Sequence, residues 1–61
     1  MKKGLIKYQK FILEMRDRSE NPWMNDEVAL EMKARELEKI GYNHIAFNIY
    51  QTLDELNVKR N

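Results

Sequence analysis

Cysteine is absent from this 61-residue chain, and proline, histidine, serine and threonine occur once each, with only two glycines. Each scarcity excludes something. Without cysteine no disulfide or thiolate metal site can hold a small core together. Gly4 and Gly41 stand alone, so the clustered glycines of a phosphate-cradling loop are missing. A nucleophile needs a base beside it, and His44, Ser19 and Thr52 are lone representatives far apart in sequence. His44 falls at the first position of an expected helix, where amide groups disfavour a cation, and reads as a surface or cap-neighbour residue. Asp17, Glu20 and Asp26 lack the spacing of a calcium loop, and no zinc-ligand spacing occurs. The chain reads as non-enzymatic, with no metal and no cofactor expected.

Long apolar runs are lacking as well. Nothing approaches the roughly 20 residues of a membrane span. Met1-Lys2-Lys3-Gly4-Leu5-Ile6 begins like a secretory leader, but Lys7, Gln9 and Lys10 interrupt it. Together with the missing cysteine, this points to a cytoplasmic protein. Strand signals are also absent, since there is neither sustained alternation nor an Asn-Gly or Asp-Gly turn.

What is present is charge and helical periodicity. Charged residues make up 34% of the chain and nearly cancel, to +1. That balance argues against a dedicated nucleic-acid coat or a polyanionic mimic of DNA. The signs are segregated. In residues 1–18, Lys2, Lys3, Lys7, Lys10, Arg16 and Arg18 outweigh Glu14 and Asp17, a net +4. In residues 19–40, six carboxylates outweigh Lys33, Arg35 and Lys39, a net −3. A basic first helix lying beside an acidic second one within one molecule accounts for both.

The expected fold is all-α, one compact three-helix domain spanning residues 1–61, with helices near 3–18, 26–40 and 44–58. In the first, Leu5, Tyr8, Phe11, Ile12 and Met15 share one arc, the core face of an amphipathic helix. No glycine ends it, and Pro22 is the expected stop, because the residue before a proline is pushed out of helical geometry. Asn21 is placed to cap a short turn with Pro22 at its first position. Helix 2 has Asn25 as N-cap, and Asp26 and Glu27 where the dipole is positive. Its core stripe is Ala29, Leu30, Ala34, Leu37 and Ile40. Gly41 suits the left-handed residue that ends it. Asn43 is the expected cap of helix 3, with Tyr42 and Phe47 at hydrophobic-staple spacing. Helices 2 and 3 therefore form a short-turn hairpin. Ile45, Ala46, Ile49, Tyr50, Leu53 and Leu56 form the third core stripe, and Lys59 and Arg60 complement the dipole at its end.

Several apolar residues fall outside these stripes: Ile6, Leu13, Val28, Met32, Phe47 and Val58, with Trp23-Met24 in a connection. Intramolecular packing is the first expectation, with helix 1 covered on two sides and Trp23-Met24 folded back as a lid. The second is a binding surface, since contiguous apolar patches mark interfaces and tryptophan is enriched among hot spots. Its candidates are Ile6, Leu13, Trp23, Met24, Met32 and Phe47. A chain of this length buries only about 60% of its unfolded surface, and self-association would add core.

Two functions follow. The leading expectation is a small interaction protein that acts as inhibitor, adaptor or regulator by occupying a surface of a larger protein, as a homodimer. Its Lys, Glu, Asn and Ile usage is also that of small proteins encoded by phages and mobile elements. The alternative is a helix–turn–helix DNA-binding regulator with helix 3 as recognition helix. In that reading Lys7 and Lys10 grip phosphates, while His44, Asn48 and Gln51 face the bases. Against it, Leu37 stands where that motif usually has a small residue, and helix 3 has no Lys or Arg before Lys59.

Overall fold

The computed structural model describes the backbone of residues 3–60 and the side chains of residues 4–56. Three α-helices compose it: α1 (Gln9–Arg18), α2 (Asp26–Lys39) and α3 (Asn43–Arg60). A 3-10 segment, Lys3–Tyr8, leads directly into α1. No strand occurs among the described residues. The expected all-α three-helix domain is what forms, with α2 and α3 closely packed as a hairpin.

The ends of α2 follow from its residues. Asn25 is extended at φ −60°, ψ 140°, and its side chain accepts the Glu27 N–H at 2.8 Å, satisfying one of the orphan donors of the first turn. At the other end the Tyr42 N–H donates to the Leu37 carbonyl at 2.8 Å and the Gly41 N–H to that of Glu38 at 3.1 Å. This paired closure is the Schellman motif. It requires a left-handed residue, and Gly41 supplies it with φ +97°. The chain then re-enters helix at once. Tyr42 offers its carbonyl to the Ala46 N–H at 3.2 Å, so α3 begins at Asn43, one residue earlier than expected, and Asn43 lies inside the first turn instead of ahead of it.

The first helix differs more. Its first turns are wound as 3-10, and α-geometry starts only at Gln9, with Tyr8 at the cap position making no side-chain cap bond. With three residues per turn, side chains three apart eclipse, so Leu5 and Tyr8 keep a common face. Pro22 is not what ends α1. The Asn21 N–H donates to the Arg16 carbonyl at 3.0 Å and the Glu20 N–H to that of Asp17 at 3.1 Å, the same closure that ends α2. Here the left-handed position is filled by Glu20, at φ 53°.

The core draws on every element. Leu5, Ile12 and Met15 come from the first segment and helix; Ala29, Leu30, Ala34 and Leu37 from α2; Ala46 and Ile49 from α3. Tyr8, Phe11, Met24, Tyr50, Leu53 and Leu56 close its edges half-buried. α2 lies in the middle and packs against both other helices, while the 3-10 segment touches α1 and α3. At Gly4 a Cβ would stand 3.7 Å from Leu56, an ordinary contact.

Several expectations about packing are corrected. Ile45, placed on the core stripe of helix 3, is 38% exposed. Helix 1 is not covered on two sides: Ile6 and Leu13 are 57% and 51% exposed. The molecule measures 30 × 28 × 17 Å, and its short dimension leaves no second layer to cover them. Ile40 is 61% exposed, because it occupies the C-cap at φ −101°, ψ 7°, where the chain has already left the helical path. Trp23 is not a lid. It is 91% exposed, whereas Met24 does turn inward onto the core. The Tyr42 and Phe47 rings stay 56% and 57% exposed, so a staple between them buries little. Val58, Lys59 and Arg60 lie outside the described side chains.

The two helix ends make a matched prediction. Left-handed backbone costs a non-glycine residue about 1–2 kcal/mol, partly offset by the greater unfolded-state freedom of glycine. Glu20→Gly is therefore expected to stabilise the fold by about 0.5–1 kcal/mol, and Gly41→Ala, which meets nothing within 4 Å, to destabilise it by about 1 kcal/mol. Thermal melts should separate the pair by several degrees, as about 4–8 °C per kcal/mol holds for domains near this size.

Candidate functional site

Among the described residues, the most exposed large apolar side chain, Trp23, sits on a well-braced corner. After Glu20, residues Asn21–Met24 form a turn in which the Met24 N–H donates to the Asn21 carbonyl at 3.2 Å. The Asn21 side-chain oxygen accepts the Trp23 N–H, also at 3.2 Å. Asn at the first position and Pro22 at the second are the residues such a turn favours, the first for its side-chain acceptor and the second for its preset φ. Arg16 braces the corner from α1: its Nε donates to the Met24 carbonyl at 2.8 Å, and its guanidinium pairs with the Asp26 carboxylate at the start of α2. Met24 is thereby held inward and Trp23 outward. At the same corner a shallow depression is lined by Leu13, Arg16, Asp17, Glu20 and Pro22, the residue that precedes Trp23.

The expected contact residues do not gather into one patch. Leu13 borders the depression next to Trp23, and Met24 is engaged with the core. Ile6 lies elsewhere, in a hollow with Gly4, Lys7, Thr52 and Glu55. Met32, 37% exposed, faces a groove with Met15, Arg18, Arg35, Glu36 and Lys39. Phe47 borders another with Glu38, Asn43, Ala46 and Tyr50. Of the residues weighed for DNA contact, Lys7, Lys10, His44, Asn48 and Gln51 are all exposed. Lys7 shares its hollow with Glu55 of α3, and a carboxylate there opposes phosphate. Among the described residues no group of three His, Asp or Glu side chains is placed to hold a metal ion, and no helix is long and apolar enough to cross a membrane.

Electrostatics join α1 to α2. Lys33 was counted in sequence only as charge, yet it is 8% exposed. Its ammonium donates to both Glu14 oxygens at 3.1 and 3.0 Å and to Glu36 at 3.4 Å, and lies 5.2 Å from the Phe11 ring centre. Phe11 in turn stacks with Tyr8, with centroids 6.2 Å apart. A signal for this existed. Lys33 stands three residues after Leu30 and four before Leu37, on the core arc itself. Arg18 completes the network, with Glu36 at 2.5 Å and Glu14 at 3.3 Å. The basic-helix-on-acidic-helix expectation thus holds for Arg16–Asp26 and Arg18–Glu36, and is inverted at Glu14–Lys33. On the far side of α2, Arg35 pairs with Glu31 at 2.7 Å. No protein-family model, no curated protein and no solved structure matches this chain.

The network sets a pH dependence. The Arg18 hydrogen bond holds the Glu36 carboxyl below its usual 4.5, against the opposing effect of burial. A depressed folded pKa adds stability that is present above 4.5 and lost as pH falls through the folded value. The Tyr50 phenol moves the other way, raised above 10.0 by its hydrogen bond with Glu38 and then by burial, so its contribution is present below 10.0 and lost in stronger alkali. Melts across the acid range should show Glu36→Gln losing less stability than wild type. In the alkaline range Tyr50→Phe should be the flatter of the two. Separately, Lys33→Met should be tolerated within about 1 kcal/mol, since an apolar isostere often replaces a buried ion pair without loss. Glu14→Ala, which removes the main partner of a buried ammonium, should cost more than Lys33→Met in denaturant titration.

Proposed function

We propose that this protein is a small non-enzymatic interaction module that binds a surface of a larger protein through the corner between α1 and α2, as an inhibitor, adaptor or regulator. The observation that carries the reading is Trp23, 91% exposed on a turn held by three hydrogen bonds from Asn21 and Arg16. A solvent-facing indole on a loose loop would be unremarkable. On a braced corner it is presented ready to bind, and preorganisation reduces the ordering cost of association. Tryptophan in a desolvated interface is among the residues whose loss most weakens binding. Leu13 and Pro22 extend the apolar area beside it. Ile6, Met32 and Phe47 remain exposed in three other hollows, and pairing of two copies through one of them is the homodimer part of the proposal. Mobile-element origin is part of the same proposal and rests on composition alone.

The test is a pull-down from host lysate, nuclease-treated and washed at high salt, with wild type beside Trp23→Asp and Leu13→Glu. Wild type should retain one protein in stoichiometric amount, and both variants should lose it while keeping the helical circular dichroism of the parent. Retention by both variants would overturn the reading. Nucleic acid released by salt, with no protein left behind, would favour the helix–turn–helix alternative. Sedimentation equilibrium at two concentrations tests self-association, and a monomer mass at both would exclude it.

A further inference from the structure

The Trp23 corner carries a charge pattern of its own. Two carboxylates, Asp17 and Glu20, line the depression together with Leu13 and Pro22. Both residues are exposed, and among the described residues neither has a cation within salt-bridge distance. The one cation lining the depression, Arg16, is committed to Asp26 and to the Met24 carbonyl. Elsewhere between α1 and α2 the carboxylates are neutralised: Glu14 and Glu36 share Lys33 and Arg18. Between α1 and α2, unpaired negative charge among the described residues is thus found at this corner.

Glu20 also closes α1, which lets its two roles be told apart. Glu20 adopts φ 53°, and the equivalent position in the closure of α2 holds Gly41. Backbone in this region is strained for a residue with a Cβ. Glycine would close α1 at lower cost, and would remove the carboxylate from the rim.

Resting on the interaction reading above, we infer that the partner surface is basic: an apolar seat for Trp23 and Leu13, rimmed by lysine or arginine that pair with Asp17 and Glu20. Charge complementarity at a rim speeds encounter and excludes wrong partners more than it adds affinity. The same carboxylates repel phosphate, which disfavours nucleic acid at this corner. A second copy of the chain is also disfavoured there, because a two-fold contact would set Asp17 and Glu20 against their own symmetry mates.

Trp23 is the single tryptophan, so its emission reports the corner directly. The probes are two amphipathic helical peptides of equal length and leucine register, one with lysine and one with glutamate at every polar position. The lysine peptide should shift the emission to the blue, and the shift should weaken with added salt as exposed charges are screened. The glutamate peptide should leave it unchanged. Glu20→Gly should bind the lysine peptide about two- to fivefold more weakly, the range of one exposed ion pair, although its fold melts higher than wild type. Glu20→Gln should weaken binding similarly without the gain in stability. That opposition of sign separates a contact role from damage to the fold. Equal response to both peptides, no response to either, a shift that grows with protein concentration alone, or undiminished affinity in both Glu20 variants would overturn the inference. If such a result came while Trp23→Asp still abolished capture from lysate, the basic partner would fall and the interaction module would stand.

Discussion

The rest of the molecule depends on α2 being buried along one side by two other helices at once. Ala29 and Ala34 let neighbours approach closely, and Leu30 and Leu37 fill the space between, so one 14-residue helix serves as the spine for the whole core. The consequence is a thin molecule. With three helices around one core and no layer beyond them, each helix has one covered face and no means of covering a second. Exposed apolar residues on the outer faces are the direct result of that geometry, and packing of a larger chain would have hidden them.

Closing such a small core places a premium on connections that lose few backbone hydrogen bonds. Both inter-helix connections solve the same problem in the same way, with a left-handed residue that lets the chain reverse while the last carbonyls stay paired. At Gly41 the solution is inexpensive. At Glu20 it is not, and the difference falls at the corner where Trp23 stands exposed and Asp17 and Glu20 have no ion pair. Structure and proposed contact surface meet at one turn: the hydrogen bonds that order Asn21–Met24 for folding also hold Trp23 away from the core.

The charge network adds a different constraint. Lys33 is held by Glu14 and Glu36 over the Phe11 ring, so α1 and α2 are aligned by ionic contacts as well as by Ile12 and Met15. Ion pairs of this kind add little net stability but discriminate against misaligned packings, in which an ammonium would be buried alone. In a domain with few core side chains, such discrimination has particular value for defining a single arrangement of helices.

Sequence alone determined the fold class, because helical information here is local. Apolar spacing, the Asn25 cap with its following acids and the lone Gly41 each act within a few residues of themselves, and each appears where its chemistry places it. The core stripes followed for the same reason, Ile40 and Ile45 excepted. What tertiary structure decided was everything that depends on how much cover exists. Ile6 and Leu13 needed a second layer that a three-helix molecule does not have. Trp23 and Met24 are adjacent in sequence, and only the turn from Asn21, braced by Arg16 from another element, sent one inward and the other out. Lys33 lay on the core arc in full view, but its burial became affordable only through Glu14, nineteen positions away. The closure at Glu20 was hidden because no residue type announces it. A left-handed glutamate is recognised by its backbone, which only the folded chain displays.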